Sequence, residues 1–428
     1  MTYSRTRTHE NEKSGHRRRV RYLMMLNLLF IGLIGAVAAL WYVADSYRGD
    51  AAGPNAAPST AHAASTPATS AATSPSLSSS PLPGASPDAA PTELPEPDPE
   101  PDDSPAPDPA EPDADAITLA IVGDVLPASG VVRLMEKHGY DYPYRESLHL
   151  LQSADIAAGN LETAITDRGT PEEDKEYVYR GPVQTLPALR DAGFDVWSLA
   201  NNHTLDYGWV GLQDTMAALD EHGFARVGAG HDDAEAYAPA YVEAKGFKVA
   251  FIGVSNVIWK PYWNATKTRP GLAQTYDPTR AVAAIEEARQ HADLVVVLVH
   301  WGVEYTDKPE PYQVKKGRQF IDAGADLVIG SHPHVLQGFE SYKGRWIAYS
   351  LGNFVFTGTK SPQSAETGVL TAVCRRNGEC ALKFHPMLAK AAQPAPMDDE
   401  AAQALLARLA AVSTAVRIEE NGNLVEHH

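Results

Sequence analysis

The chain has 428 residues, which is enough for a large core or two domains, and its formal net charge is −18. An acidic chain disfavours non-specific nucleic-acid binding and repels polyanionic substrates unless bound cations supply positive charge. The charge is uneven: residues 1–21 carry seven basic residues against two acidic ones, whereas residues 45–115 carry thirteen acidic residues against Arg48 alone.

An apolar run without any charged side chain, residues 22–43, follows the basic tail of residues 1–21. A run of this length spans the hydrocarbon core of a bilayer as a helix, and the arginines before it place the N-terminus in the cytoplasm. We therefore expect a single-pass protein of the cell membrane whose main domain is extracellular. A cleaved signal peptide is the alternative, although its apolar region usually has only about 7–15 residues.

The next segment, residues 44–115, is rich in Ala, Pro, Ser and Thr and then in Pro with Asp or Glu. Because it contains few side chains that could form a core, we expect a disordered, extended linker. The predicted organisation is a cytoplasmic tail (1–21), a transmembrane helix (22–43), the linker (44–115), a folded domain (116–390) and a C-terminal helix and tail (391–428).

Short apolar runs alternate with helical patterns in the folded domain, which predicts an α/β fold with a largely buried sheet. After His334 the runs lack intervening helices, and this change predicts a second, more antiparallel sheet. The predicted strands are Ile117–Val122, Asp155–Ala158, Asp195–Leu199, Lys248–Val254, Leu294–Val299, Leu327–Ile329, Trp346–Ser350, Gly368–Cys374 and Glu379–Phe384. The predicted helices are Gly211–His222, Arg280–Gln290, Gln313–Ala323 and Ala401–Ala411.

Five of these apolar runs end directly in polar residues that can bind metal. Ligands of α/β sheets gather outside the carboxyl ends of strands, so we expect the five ends to meet at one crevice. Carboxylate, amide and imidazole groups together suit Mn, Fe, Zn or a similar ion, and the absence of thiolates excludes a cysteine-based structural zinc site. Taken singly, each residue has an ordinary explanation, such as a loop or a satisfied buried histidine. The residues are Asp124, Asn160 with Glu162, Asn202 with His203, His300 with Glu304, and His332 with His334.

The chain has two cysteines, Cys374 and Cys380, which flank the hairpin turn signal Asn377-Gly378. Outside the membrane this arrangement favours a disulfide across the hairpin, and two free buried thiols are the alternative. The spacing does not decide between them, because the hairpin register sets the distance between the two Cα atoms.

The motifs GD, NLE, ANNH, HWGVEY, GSHPHV and YSLGNFVF follow one another between about residues 117 and 356. Together they resemble the CapA proteins, which are associated with bacterial poly-γ-glutamate capsule synthesis and belong to the calcineurin-like metallophosphoesterase superfamily. The resemblance implies a sandwich of two β-sheets flanked by helices. It also implies one or two bound divalent metal ions, which could be Mn, Fe, Zn or Mg.

The resemblance further implies roles for individual residues. One metal would be bound by Asp124 and His334, and the other by Asn202, His300 and His332. The candidate catalytic group is His203, beside the metals, with Asp206 either orienting its ring or lying in a turn.

Three residues around this centre are candidates for binding substrate: Arg180, Glu304 and Asn353. The alternatives are a surface position for Arg180, a supporting contact for Glu304, and hydrogen bonds to buried backbone for Asn353.

Two positions depart from the superfamily pattern. The superfamily has Asp-x-His at the first motif, whereas Asp124 is followed by Val125-Leu126, so one metal lacks a histidine. Asn160 occupies the place of a metal-bridging aspartate and is a poor bridge. Glu162 lies on the same side of an extended chain, and we expect it to be a ligand or the bridge.

Two functions of different class fit these residues. In the favoured one, the protein takes part in the synthesis or export of poly-γ-glutamate or a similar anionic capsule polymer, beside a polymer ligase and small membrane subunits. In the alternative, it is a stand-alone metal-dependent phosphoesterase or other hydrolase at the cell surface. Whether the site is catalytic stays open from the sequence.

Overall fold

The structure is a computed structural model that describes residues 115–358 and 360–427. The predicted cytoplasmic tail, the transmembrane helix and, apart from Asp115, the linker lie outside the described residues. Among the helices that the structure describes, none has both the length and the hydropathy needed to cross a bilayer.

The described residues form twenty strands, eight α-helices and three short 3-10 helices. Strands β1 to β20 are Ala116–Val125, Ile156–Leu161, Ala164–Ile165, Arg180–Gly181, Phe194–Ser198, Ala225–Val227, Ala229–Gly230, Ala240–Ala244, Phe247–Ser255, Gly271–Leu272, Leu294–His300, Leu327–Ser331, Phe339–Tyr342, Arg345–Ala348, Asn353–Val355, Glu366–Arg375, Cys380–Lys390, Gln393–Pro396, Val416–Ile418 and Asn423–Glu426. Helices α1 to α8 are Gly130–His138, Leu148–Gln152, Thr185–Asp191, Gly208–Glu221, Asp233–Tyr237, Thr279–Arg289, Pro311–Asp322 and Asp399–Val412.

Most of these strands belong to two large mixed sheets. The first sheet has the order β19-β20-β17-β16-β1-β2-β5-β6, with β15 also pairing with β1 and β18 with β17. The second has the order β13-β14-β12-β11-β9-β8. Neighbours β1, β2 and β5 are parallel, as are β9, β11, β12 and β14, so their carboxyl ends lie at common edges.

The two sheets pack face to face and carry helices on their outer faces. Ile117 of β1, Val249 of β9 and Val296 of β11 belong to one buried cluster that both sheets share. Alternate residues point the other way, as expected for strands, and pack against helices. On the outer face of the second sheet, Val297 of β11 and Phe320 of α7 share another cluster. The α/β fold predicted from the sequence is therefore observed, with helices outside two central sheets.

The expectation of a separate antiparallel sheet after His334 is wrong. Strands β13 and β14 join the second sheet, with β14 parallel to β12. Strands β16 and β17 instead extend the first sheet antiparallel to β1. Leu370 and Leu382 thereby enter the same buried cluster as Ile117, so these strands bury their apolar faces against a sheet that already exists. A separate sheet would need a core of its own.

The hairpin of β16 and β17 contains the disulfide. Cys374 and Cys380 lie directly opposite each other in its register and are bonded. Of the two alternatives that the sequence left open, the structure has the disulfide.

Candidate functional site

The carboxyl ends of strands from both sheets meet in one buried cluster of polar side chains. The Asn160 amide nitrogen lies 3.3 Å from His300 Nδ1, and His300 Nε2 lies 2.9 Å from Asn202 Oδ1. The backbone N–H of His332 donates to Asp124 Oδ2 at 3.2 Å. These contacts join residues that are far apart in the chain. The residues come from the ends of β1, β2 and β5 in one sheet and of β11 and β12 in the other, as the strand ends predicted.

Two overlapping sets of three side chains are close enough to hold a metal ion. One ligand atom each of Glu162, His332 and His334 lies within 4.8 Å of the others, and the same holds for Asp124, Glu162 and His300. Glu162 belongs to both sets. His334 Nδ1 also lies 3.7 Å from Asp124 Oδ2, the pair that the family resemblance assigns to one ion.

Three buried polar atoms at this cluster lack a hydrogen-bond partner among the described residues. They are both carboxylate oxygens of Glu162 and Nδ1 of His332. An unsatisfied buried polar group is costly, typically about 1–3 kcal/mol, and natural proteins rarely retain one without a reason. Buried carboxylate oxygens and an imidazole nitrogen without hydrogen-bond partners are ligand atoms of the kind that divalent cations bind. The residues present therefore fit a metal ion.

Asn160 has no unsatisfied side-chain atom, because hydrogen bonds occupy both ends of its side chain. Its amide nitrogen donates to Asp124 Oδ1 at 2.8 Å, and its oxygen accepts from the Asn201 amide at 3.0 Å. The same Asn201 side chain also accepts the His203 backbone N–H at 2.9 Å. Asn160 thus orients Asp124, while the two Glu162 oxygens stay available.

Burial sets the protonation of this cluster in the absence of a cation. It raises the pKa of Glu162 well above its usual range, with the nearby Asp124 carboxyl adding to the effect, and it also raises the pKa of Asp124. Burial lowers the pKa of His300 and of His332 well below 6.5, and the neighbouring histidines lower both further. Neutral imidazoles are ready to bind a cation, and a bound cation would favour the ionised form of both carboxyls.

The backbone that presents the two histidines after β12 is unusual. His332 has a φ of 98° and His334 a φ of 57°, a region that favours glycine. Asn353 holds the second ring from behind: its side-chain oxygen lies 2.8 Å from His334 Nδ1, while its amide donates to the Ser364 carbonyl at 3.1 Å. Asn353 is fully buried and does not line the cavity described below, so its contacts position His334.

A second network lies beside the candidate metal ligands. His203 Nδ1 is 2.7 Å from Asp206 Oδ2, and the carboxylate holds the ring so that Nε2 stays free. The Lys175 ammonium contacts Asp206 Oδ1 and the Asn202 carbonyl, and it lies 3.1 Å from His203 Nδ1. The Lys175 side chain is only 4% exposed, and the pKa of its ammonium is lowered by burial and raised again by Asp206. Burial likewise lowers the pKa of His203, and Asp206 opposes that shift.

A cavity of about 280 Å³ opens beside these networks. Histidines 203 and 334 contribute to its lining, and His334 is also one of the candidate metal ligands. Tyr179 packs on His203 with ring centroids 4.7 Å apart, and Phe356 packs on His334 at 5.1 Å. The remaining lining residues are Tyr177, Glu304, Tyr305, Gly358 and Lys360.

The candidate substrate-binding residues differ in position. Glu304 lines the cavity. Arg180 does not: it is exposed on β4, and its guanidinium stacks 4.6 Å from the Tyr207 ring centroid.

Sequence reasoning missed Lys175 and Tyr177, which stand in the irregular stretch EEDKEYVYRGP. The alternation Tyr-Val-Tyr, which puts Tyr177 and Tyr179 on one side of an extended chain, was the available signal.

Comparison with known proteins adds a family match. Residues 118–358 match the family model of the bacterial capsule synthesis protein PGA_cap. The capsule biosynthesis protein CapA of Bacillus anthracis is 35% identical over 292 residues, which cover 66% of this chain and 70% of that protein. The PGA biosynthesis protein CapA of Bacillus subtilis is 33% identical over 285 residues, covering 66% and 74%. A probable polyglutamine synthesis accessory protein of Mycobacterium tuberculosis is 33% identical over 247 residues, covering 53% and 65%.

Proposed function

The chain belongs to the bacterial capsule synthesis protein PGA_cap family, to which CapA proteins belong, and we propose that it engages poly-γ-glutamate or a similar anionic capsule polymer through a site holding one or two divalent metal ions. Its family supports involvement in capsule synthesis. The observation that carries the metal-dependent role is the set of unpartnered Glu162 oxygens and His332 Nδ1, buried where five strands end.

Charge explains why an acidic protein would need a cation to bind such a ligand. The chain carries −18, so a polyanion is repelled unless positive charge is concentrated locally. Asp124, Glu162, Asn202, His300, His332 and His334 are the proposed metal ligands. When bound, divalent ions would supply that positive charge and act as Lewis acids toward a ligand oxygen.

The proposed setting is the outer face of the cell membrane. The apolar run at residues 22–43 and the basic tail before it support an anchored chain whose main domain is extracellular. One relative, from Mycobacterium tuberculosis, is described as a probable polyglutamine synthesis accessory protein, which supports a place beside other proteins that make the polymer. We propose that these partners are a polymer ligase and small membrane subunits.

A test of the polymer role uses the full-length chain with and without Mn²⁺. Equilibrium dialysis should show that poly-γ-glutamate is retained by the Mn²⁺-loaded protein and lost when EDTA is added. Glu162→Gln should lose Mn²⁺ and polymer together. Glu286→Gln, an exposed change on α6, is the matched control and should keep both. Polymer binding that persists unchanged after complete metal removal would contradict the proposal.

The second candidate function is a metal-dependent phosphoesterase or related hydrolase, and the His203–Asp206 pair favours it. Asp206 fixes the imidazole so that Nε2 faces away from the carboxylate, and His203 lines the cavity. A ring held in this way can accept a proton at Nε2 and, once protonated there, donate it to a leaving oxygen. Turnover of a chromogenic phosphodiester that is lost in both Glu162→Gln and His203→Ala would establish this function. Polymer binding with no turnover of either the diester or the polymer would exclude it.

A further inference from the structure

The mouth of the cavity carries two opposite charges that the networks above do not use. Lys360 and Glu304 both line it, and neither forms an ion pair with any residue that the structure describes. Both side chains are exposed. The charges therefore cost little in the free protein, yet they are close enough to one cavity to act on the same ligand.

Two aromatic rings hold the cation at this mouth. The Lys360 ammonium lies 5.5 Å from the ring centroid of Tyr177 and 5.0 Å from that of Tyr305. Such cation–π contacts favour a defined place for an otherwise flexible ammonium, although they do not neutralise its charge. A carboxylate entering the cavity would find this ammonium between the two rings.

The Glu304 carboxylate, in contrast to Lys360, repels an anionic ligand. Internal units of a γ-linked glutamate chain carry a free carboxylate and a neutral amide, so a carboxylate at the mouth repels them. The first unit of the chain differs, because it also carries a free α-ammonium group. Only at that end does the ligand have one charge for Lys360 and one for Glu304.

We propose that this cavity recognises the zwitterionic amino-terminal unit of an anionic peptide chain, with Lys360 binding its carboxylate and Glu304 its ammonium group. The inference rests on the proposed polymer-binding function and narrows it from the polymer as a whole to one end. The cavity volume of about 280 Å³ is sufficient for an end unit.

The test compares two probes on the full-length, Mn²⁺-loaded protein: a γ-linked glutamate trimer with a free amino terminus and the same trimer acetylated there. Isothermal titration calorimetry should show the free trimer binding about fivefold more tightly, the scale of one partly exposed charge pair. Glu304→Gln should abolish this preference. Lys360→Gln should weaken both trimers by about the same factor and keep the preference.

Matched controls exist on the helices of the second sheet. Glu286→Gln on α6 and Lys315→Gln on α7 change exposed residues of the same type away from the cavity lining, and neither should alter the binding of either trimer. Equal affinity of the wild-type protein for both trimers would overturn end recognition and leave metal-dependent polymer binding intact. A preference that survives in Glu304→Gln would also overturn it. If neither trimer nor the long polymer binds, the proposed function itself fails.

Discussion

Two cavities of nearly equal volume differ in what surrounds them. The first has a volume of about 280 Å³, and its lining includes His203 and His334. The second has a volume of about 270 Å³, lies next to β17 and α8, and its lining includes His149 and His385. In the second, His385 Nε2 lies 3.0 Å from Thr371 Oγ1, and no side chain lining it is among the described buried groups without a hydrogen-bond partner. The same holds for the lining of the first, but its lining residue His334 lies in one candidate metal-binding set with Glu162 and His332, which do have unsatisfied atoms. Unsatisfied buried atoms that coincide with a set of candidate ligands, and not cavity size or histidine content, mark the candidate metal site.

Loss of bound metal on substituting a candidate ligand is the strongest effect that we predict. Glu162→Gln or His332→Ala should abolish stoichiometric Mn²⁺ binding, because the first removes the carboxylate that both candidate sets share and the second removes an imidazole. His385→Ala in the second cavity is the matched control and should bind Mn²⁺ as the wild type does. Inductively coupled plasma mass spectrometry after dialysis measures the bound metal. Equal metal in all three variants would mean that the cluster does not bind it.

A second prediction compares a lysine beside each cavity. Lys175→Met should lower the free energy of unfolding by about 3 kcal/mol, because it leaves the Asp206 carboxylate buried with its cationic partner removed. Lys383→Met at the second cavity should change it by less than about 0.5 kcal/mol, as is usual for a surface substitution.

Urea unfolding at pH 7 without metal measures both lysine variants. Adding Asp206→Asn to Lys175→Met should recover part of the lost stability, since the uncompensated charge is then gone. A double variant less stable than Lys175→Met alone would contradict this account.

The fold was predictable where local pattern and tertiary structure agree. The strand ends at Asp124, Asn202, His300 and His332 stand out because parallel strands put their carboxyl ends at one edge. The partners of the strands after His334 were not predictable, because β16 pairs with β1 across about 240 residues of chain. The alternation of apolar and polar residues within a strand does not indicate which sheet edge the strand joins.

The candidate site was predictable in the same uneven way. Residues next to regular strands were found, as was Glu162, whose spacing from Asn160 puts both on one side of the chain. Lys175 was not found, because it comes from an irregular loop whose path depends on Asp206 and on the Glu172 backbone N–H donating to the Asp206 carbonyl. A lysine in an acidic stretch looks like any exposed lysine.

A smaller effect is expected from removing the side chain that contacts His334 than from removing a ligand, and His385 in the second cavity provides the comparison. Asn353→Ala should weaken Mn²⁺ binding by roughly tenfold, because groups that orient a metal ligand typically contribute that much. Thr371→Ala, which removes the corresponding partner of His385, should leave the Mn²⁺ affinity unchanged. Competition with a fluorescent chelator measures both affinities. A similar loss in both variants would indicate a general effect on the fold.

The smallest effect is a pH dependence of the free energy of unfolding that arises from His385 in the second cavity. Burial lowers the pKa of His385 to about 4 in the folded protein from an ordinary 6.5. The unfolded chain therefore binds more protons between these values, so this group's stabilising effect is complete above pH 6.5 and declines as the pH falls toward 4. Because His385 is only partly buried, solvent screening limits the effect to about 1 kcal/mol.

The His385 contribution appears as a difference between two proteins. Urea unfolding of the wild type and of His385→Gln at pH 7.5 and pH 5 should show a larger loss for the wild type, by that amount. Identical pH dependence in the two proteins would remove His385 as the source.

The left-handed backbone at His332 and His334 has a consequence for how this chain evolves. A non-glycine residue in a sparsely populated φ region costs on the order of 1–3 kcal/mol, and glycine would relieve it at either position. A population of variants selected only for surviving heat or protease should therefore drift toward glycine at 332 and 334. A population selected for retaining a cation should keep histidine at both positions. The difference between the two selections would show whether these positions are kept for stability or for ligand binding.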